Sequence, residues 1–143
     1  MTGRRTGRPT GRPPGLYEVA SLGMIHPPAE EIAWAAGLFE GEGSVFRTKW
    51  GGVKVQMGMT DLDVLQHLKA VLGGVVNGPY QYEAKDGIQR KPQWRWSSTG
   101  PNAVRICRLL RPWMGERRRG RMDELCVLAD EESLPIAQTA GGL

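Results

Sequence analysis

The run from Trp34 to Phe46 constrains the fold and the chemistry of this chain more than any other segment. An apolar helical stretch, Ile32 to Phe39, leads directly into Glu40-Gly41-Glu42-Gly43. Acidic side chains are unfavourable at the C-terminal end of a helix, because the last carbonyl groups repel them. The glycines allow the left-handed or close-packed backbone that ends a helix, and they let the Gly41 carbonyl and the Glu42 carboxylate point the same way. Because these oxygens suit a hard cation, the segment predicts a Mg²⁺ (or Mn²⁺) site at a helix end.

The rest of the chain divides into helical and strand-like patterns. Val53, Val55, Met57 and Met59 alternate with polar residues, as in a half-buried strand, and Gly51-Gly52 before them predicts a tight hairpin turn. A helix starting at an Asp61 N-cap should end at Gly73-Gly74. The full pattern predicts helix, hairpin, helix, hairpin and two helices, over 29–40, 44–50 with 53–59, 61–72, 75–83 with 93–98, 100–110 and 117–130.

This order predicts an α+β fold, with one four-stranded antiparallel sheet and helices on one face. The apolar strand faces should pack on the helices, and the face that carries Lys54, Gln56 and Arg95 should remain open to water or to DNA. The sequence does not decide which side chains of strand 44–50 point outward. One register turns Phe46 outward with Thr48 and Trp50, and the other turns Arg47 and Lys49 outward instead.

Length and composition limit the domain organisation. The 143 residues allow one domain with a sizeable core. We expect a flexible basic leader over 1–28, the domain over 29–130 and a flexible tail over 131–143. No apolar run is long enough to span a membrane, and no secretory signal is recognisable. The only cysteines, Cys107 and Cys126, read as buried free thiols, which favours a cytoplasmic setting.

Charge is strongly segregated along the sequence. Residues 1–15 contain four Arg and no acid, and residues 85–121 contain eleven basic residues against two acids. By contrast, residues 16–84 carry eight acids against four bases, and 122–143 carry five acids. Such segregation is typical of a polyanion-binding surface, although a solvated basic surface would look similar. The Arg-rich leader could be a minor-groove arm or an incidental flexible segment.

The segment Ala35-Ala36-Gly37-Leu38-Phe39-Glu40-Gly41-Glu42-Gly43 resembles the motif that names the LAGLIDADG homing endonucleases. Gly37, Leu38 and Gly43 are identical to the motif, Ala36 matches its alanine, and Glu replaces Asp at both acidic positions. The strand start Ser44-Val45-Phe46 also agrees. The family is known for the element order and sheet described above, so the resemblance covers roughly 29–130.

The resemblance implies a metal-dependent DNA endonuclease. With a single motif, such a chain is expected to act as a homodimer whose motif helices pack together through Ala33, Ala36 and Gly37. A two-fold dimer implies a near-palindromic double-stranded DNA target. Glu42 and the Gly41 carbonyl would hold the metal, with Glu42 catalytic, Glu40 a possible accessory acid and Arg117 steadying the phosphate charge. The DNA-binding residues would be Lys54, Gln56, Arg95, Arg118, Arg119 and Arg121.

Two other functions stay open at the level of sequence. A protein that kept the fold but lost cutting, such as a DNA- or RNA-binding regulator or a splicing maturase, is favoured by Glu in place of Asp at both acidic positions. An assembly protein that binds acidic partners is favoured only by the basic charge.

Overall fold

The structure, a computed structural model, describes residues 21–81, 87–88 and 90–141, with side chains as far as residue 128. Four helices and four strands follow one another in the predicted order. They are α1 (Ala29–Glu42), β1 (Gly43–Arg47), β2 (Val53–Met59), α2 (Leu62–Leu72), β3 (Val75–Tyr80), β4 (Gln93–Thr99), α3 (Gly100–Leu110) and α4 (Glu116–Gly141), with a 3₁₀ turn over Arg111–Trp113. The α+β class predicted from the sequence is confirmed.

The four strands form one antiparallel sheet in the order β1-β2-β4-β3. Its two faces differ in character. Val53, Val55 and Met57 of β2 are buried on the helix side, and Trp96 of β4 is fully buried with them. Since successive side chains of a strand point to opposite faces, the residues between them lie on the other face, which no described helix covers. The predicted division of the sheet into a packed face and an open face is therefore correct.

The pairing of β1 with β2 shows which side chains of β1 lie on the open face of the sheet, a point that the sequence did not decide. Val45 lies opposite Val55, and Phe46 lies opposite Lys54. Val45 is buried, so Ser44 and Phe46 belong to the open face and Arg47 to the helix side. The strand ends at Arg47, three residues before the predicted end.

A five-residue loop replaces the predicted two-residue turn at Gly51-Gly52. The Thr48 amide donates to the Gly52 carbonyl at 2.7 Å, and the Gly51 amide donates to the Thr48 carbonyl at 2.9 Å. Gly51 has a φ of +96°, which an L side chain rarely adopts. The loop therefore closes at Thr48 and Gly52, and Trp50 lies at its tip with 86 % of its surface exposed.

Helices α1, α2 and α3 pack against the sheet around one hydrophobic core. Its largest fully buried side chains include Phe39 of α1, Leu65 and Leu68 of α2, and Ile106 of α3. The indole of Trp96 donates to the Gly73 carbonyl at 2.8 Å, which removes the cost of burying an unpaired N–H. Cys107 and Cys126 are both buried, as predicted, and no disulfide joins them.

Several predicted boundaries are wrong. Helix α1 does not end at Glu40, because Gly41 does not take a left-handed conformation. It continues to Glu42 and ends where Gly43 becomes extended, with a φ of −88°. Helix α4 continues to Gly141 instead of ending near 130, and β3 ends at Tyr80. Asp61 precedes α2, but its side chain makes no capping hydrogen bond.

The leader and the tail were predicted from composition alone, and residues 1–20 lie outside the described residues. Residues 21–24 are not free, because Ser21 forms an antiparallel bridge with Gly74. No helix of the described residues combines the length and the apolar character that a membrane span requires.

Candidate metal and nucleic-acid site

The end of α1 and the start of β1 meet without an intervening loop, at Gly43. A Cβ atom placed on Gly43 would lie only 2.4 Å from the ring of Phe39, and that ring is fully buried in the core. Glycine is therefore required for the backbone to turn so close to the ring. This contact fixes the direction in which the last turn of α1 presents its polar groups.

Glu40 is bound within the chain. Its Oε1 accepts a hydrogen bond from the Gly115 amide at 2.6 Å, and its Oε2 lies 3.4 Å from Nε of Arg118. Gly115 immediately precedes α4, so the carboxylate sits at the positive end of that helix dipole. The hydrogen bond from Gly115, assisted by Arg118, lowers the pKa of Glu40 below its usual value of 4.5.

Arg118 closes the end of α1. Its guanidinium donates to the Gly43 carbonyl at 2.7 Å and to the Glu40 carbonyl at 3.3 Å. It also lies over the ring of Phe39, 5.3 Å from the centroid, and only 12 % of its side chain is exposed. A cation bound to the last carbonyls of a helix is favourable. Arg118 was predicted to bind DNA, whereas the structure places its guanidinium in contacts within the chain.

Glu42 differs from Glu40 in its exposure and in its partners. It is the last residue of α1, it is exposed, and its carboxylate makes no hydrogen bond or ion pair with any described residue. Its negative charge is not offset by hydrogen bonds like those that Glu40 accepts from Gly115 and Arg118. The predicted pair of acids is thus divided into one structural carboxylate and one free carboxylate.

The free carboxylate fits only part of a metal site. No group of three or more His, Cys, Asp or Glu residues that could hold an ion exists among the described residues. Glu42 and the exposed Gly41 next to it offer hard oxygen donors, which suit Mg²⁺ if phosphate oxygens, water or a second chain supply the other ligands. One copy of this chain therefore provides part of a coordination sphere.

Basic side chains of α4 lie beside the β1 edge of the sheet. Arg117 and Arg121 line a pocket of about 500 Å³ together with Gly43, Ser44, Val45, Arg118 and Glu124. Arg121 is paired with Glu124 at 2.9 Å, whereas the side chains of Arg117 and Arg119 make no hydrogen bond or ion pair with the described residues. Arg117 is thus the exposed arginine of the pocket whose side chain is not bound by a described residue.

The open face of the sheet brings together the three strand residues predicted to contact DNA. Gln56 lies between Ser44 and Ser97, and Lys54 lies between Phe46 and Thr99. Arg95 lies between Gly58 and Asn77, with its guanidinium 4.9 Å from the centroid of the Tyr80 ring. The face is mainly polar, with few formal charges.

The outer face of α1 differs from the interface predicted from the sequence. Ala36 is 2 % exposed and packs in the core of the chain, so it leaves little surface for a partner helix. Ala33 is half-buried and Gly37 is exposed, and Trp34 and Gly41 lie on the same exposed side of the helix. Cβ atoms at Gly37 and Gly41 would meet nothing within 4 Å. Beyond the first turn of α1, its accessible small residues are therefore Ala33, Gly37 and Gly41.

Sequence reasoning did not identify Gly115 and Arg118 as the residues that bind the end of α1. They are 75 and 78 residues away from Glu40 in the chain. The only local signal was the run of arginines, which is equally consistent with phosphate contacts.

No protein-family model matches this chain, and no curated protein matches its sequence. Among solved structures, two crystal structures of the homing endonuclease I-CvuI are similar. The first, in complex with its target (Sro1.3) in the presence of 2 mM Ca, has a TM-score of 0.51 and 14 % sequence identity. The second, with the I-CreI target (C1221) in the presence of 2 mM Mg and DNA not cleaved, has a TM-score of 0.50 and 15 % identity.

Each match covers 71 % of this chain and 66 % of the I-CvuI chain. At this level of identity the similarity concerns the fold. The four helices and the four-stranded antiparallel sheet of the described residues agree with that comparison. This chain has the fold of the LAGLIDADG homing endonucleases.

Proposed function

We propose that the protein is a site-specific DNA endonuclease that makes a divalent-metal-dependent double-strand cut as a homodimer. One observation carries the proposal: Glu42 is exposed at the end of α1 and makes no bond to a described residue, while Glu40 two residues earlier is bound by Gly115 and Arg118. A free carboxylate at the negative end of a helix dipole weakens the fold. A divalent cation bound there would reverse that effect.

Glu42 and the Gly41 carbonyl would hold Mg²⁺ or Mn²⁺, and the phosphate and a second chain would supply further oxygens. When bound, the ion would activate water and stabilise the leaving oxygen in phosphodiester hydrolysis. Arg117 lies in the pocket beside Ser44, where its guanidinium would hold the non-bridging phosphate oxygens. Arg118 and Glu40 would act as positioning residues, because they fix the last turn of α1 without facing the substrate.

The duplex would lie on the open face of the sheet. Gln56, Lys54 and Arg95 are the predicted base-reading residues, and Ser44, Asn77 and Ser97 share their face. Side chains of this kind can donate to and accept from base edges in the major groove. Arg119 and Arg121 of α4 would add affinity for phosphates that does not depend on sequence.

The second chain would pack against the exposed side of α1. Gly37 and Gly41 each cost a helix about 1 kcal/mol relative to alanine, and no described residue lies within 4 Å of a Cβ placed on either of them. Close approach of a partner helix explains both residues. Two-fold packing through Ala33, Gly37 and Gly41 would bring two Glu42 carboxylates together, and the target would be nearly palindromic.

The test is cleavage of a plasmid library that carries random near-palindromic inserts, with sequencing of the ends that form when Mg²⁺ is added. The wild type should cut one class of insert. Glu42→Gln should bind that insert normally and cut it at least about a hundredfold more slowly, a loss typical of removing a main catalytic group. The matched control, Glu116→Gln, removes an exposed acid of α4 and should cut at the wild-type rate.

A second candidate is a DNA- or RNA-binding regulator or maturase that does not cut. The observation in its favour is Glu at both acidic positions of the motif, where the longer side chain carries the carboxylate further from the helix end. A protein that shifts duplex DNA on a gel and leaves the whole library uncut in Mg²⁺ and in Mn²⁺ would establish this candidate. Equal cutting by Glu42→Gln and the wild type would exclude the proposed site.

A further inference from the structure

Three sulfur-bearing side chains line one cavity between α3 and α4. The cavity has a volume of about 480 Å³, and its lining includes Cys107 of α3 together with Met122 and Cys126 of α4. Cys107 is inaccessible to solvent, Met122 is 1 % exposed and Cys126 is 9 % exposed. The pocket that contains Arg117 is lined by different residues of α4, so the cavity is a separate feature of the molecule.

The spacing of the residues on α4 explains why the sulfur-bearing side chains meet. Met122 and Cys126 are four residues apart on this helix, so they lie on the same face, one turn from each other. That face packs against α3, where the Cys107 thiol is hydrogen-bonded to the Cys126 thiol. The two helices therefore present two thiols and one thioether to the same space.

Packing alone explains each of these residues but not their meeting. A buried cysteine behaves as a small apolar side chain, and methionine fills irregular gaps in a core. Cys107 and Cys126 are, however, the only cysteines among the 143 residues, and they line the same cavity although 18 residues of sequence separate them. The coincidence indicates that the cavity uses sulfur chemistry.

The charges around the cavity suit a monovalent cation bound to thiolates. Burial, together with the neighbouring Cys126, raises the pKa of Cys107 to about 12, so this thiol keeps its proton until a ligand displaces it. The positive charge of Arg108 acts in the opposite direction and favours the thiolate. Two thiolates and one monovalent cation leave one negative charge, which Arg108 in the cavity lining would balance.

The donor atoms distinguish between the common metal ions. Thiolate and thioether sulfurs are soft ligands that select Cu(I), whereas Mg²⁺ and Ca²⁺ prefer oxygen. Zn²⁺ also binds thiolates, but its structural sites are completed to four ligands by Cys, His or a carboxylate. The carboxylate in this lining, Asp123, already accepts a hydrogen bond from Arg111 at 2.9 Å. The donor set therefore fits Cu(I) best.

We propose that Cys107, Met122 and Cys126 form a Cu(I)-binding site between α3 and α4, with the two thiolates as the main ligands and the thioether as the third. Each thiol releases its proton to solvent when its sulfur binds the ion, and the copper keeps its oxidation state. The bound ion would join α3 to the helix that carries Arg117 and Arg118. The inference does not depend on the proposed function.

The experiment titrates the reduced full-length protein, without oxygen, against Cu(I) held by the coloured chelator bicinchoninate. Transfer of copper to the protein bleaches the chelator complex, and the wild type should take up one ion per chain. Near pH 6, where ordinary thiols are protonated, uptake should release about two protons per ion, so the affinity should rise with pH. The loaded protein should unfold at a higher temperature, because the ion binds the folded state.

Variants of the three ligands test the assignment. Cys107→Ser and Cys126→Ser should each weaken Cu(I) binding more than about a hundredfold, beyond the loss that follows removal of a group outside the ligand set. Met122→Leu nearly conserves volume and should weaken binding about tenfold, because it removes a soft neutral ligand. Met57→Leu is the matched control, since Met57 is also 1 % exposed but belongs to β2, and it should bind Cu(I) like the wild type.

Circular dichroism shows whether each variant is folded, and X-ray absorption at the copper edge of the loaded wild type tests the site without any substitution. That spectrum should contain sulfur neighbours only. Nitrogen or oxygen neighbours in their place would overturn the inference, as would a folded wild type that takes no Cu(I) from the chelator. Unchanged binding in both serine variants would place the copper elsewhere, and equal losses in Met57→Leu and Met122→Leu would remove the thioether from the site. Preferential uptake of Zn²⁺ from a mixture of the two ions would contradict the choice of metal.

Discussion

Glu40 and Glu42 have the same chemistry and lie two residues apart, yet their surroundings are opposite. Glu40 accepts hydrogen bonds from the Gly115 amide at the start of α4 and from the guanidinium of Arg118. These groups offset its negative charge at the C-terminal end of α1. Glu42 projects from the last position of α1 with no such partner among the described residues. The resemblance assigned the metal to Glu42 and at most an accessory role to Glu40. The sequence could not show what binds Glu40, because its partners come from a part of the chain more than 70 residues away.

The charge of Glu40 should stabilise the fold above pH 4.5. Its pKa is lowered by the Gly115 hydrogen bond and by Arg118, so its contribution is complete above the unfolded value of 4.5 and is lost as pH falls through the lowered folded value. Glu40→Gln should reduce the free energy of unfolding near neutral pH by at most about 1 kcal/mol, because solvent screens a carboxylate that is partly exposed. The difference from the wild type should shrink in acid.

Urea denaturation of both proteins across the acidic range measures this difference. Glu42→Gln is the matched control, since it removes a charge from the same helix end without removing a hydrogen bond or an ion pair to a described residue. It should be neutral or slightly stabilising, because a negative charge at a helix C-terminus is unfavourable. A Glu40→Gln protein as stable as the wild type near neutral pH would contradict the structural role.

At the scale of the element, the three glycines at 37, 41 and 43 serve different purposes. Gly37 and Gly41 face open space, whereas Gly43 fits against the ring of Phe39. The sequence predicted that glycine would end α1 near residue 40, but the helix includes Gly41 and ends only at Glu42. The packing of Phe39 and the bonds from Arg118 to the Glu40 and Gly43 carbonyls determine the end, and neither is visible in local sequence preference.

Gly41→Ala and Gly43→Ala should therefore change stability in opposite directions. In Gly43→Ala the added Cβ would overlap the buried Phe39 ring at 2.4 Å, which should cost about 1 to 3 kcal/mol of the free energy of unfolding. In Gly41→Ala the Cβ meets no atom, and the gain in helix propensity should be up to about 1 kcal/mol. Denaturation of both variants at low protein concentration measures the two effects. Equal destabilisation would show that the Phe39 contact does not explain the glycine at 43.

At the scale of the whole molecule, function would follow from how the elements are ordered across the sheet. The alternating pattern of β2 and the helical spacing of α2 and α3 were sufficient to predict the elements and the α+β class. The central pairing of β2 with β4 joins residues about 40 positions apart, and its register was not available from local periodicity. The same limit applied to the bridge between Ser21 and Gly74, since nothing in the local sequence indicates that these two residues pair.

The division of the outer face of α1 into buried and accessible residues leads to a prediction about assembly. Ala36 packs in the core, so a partner chain would meet Gly37 and Gly41 instead. Gly37→Glu places a long, charged side chain where the two helices would approach most closely, and burying an unpaired charge there is costly. We expect the wild type to be a dimer and Gly37→Glu a monomer that neither cuts both strands nor prefers near-palindromic sites.

Sedimentation equilibrium with and without duplex DNA measures the oligomeric state directly. Ala70→Glu is the matched control, because it adds the same charge to an exposed position on the surface of α2 and should leave the dimer intact. Both variants should keep the circular dichroism of the wild type, since neither position contributes to the core. If Gly37→Glu remained dimeric while Ala70→Glu dissociated, the partner would have to pack on the α2 side. Glu42 of one chain would then have no symmetry-related carboxylate beside it, and the two-chain metal site would lose its geometric basis.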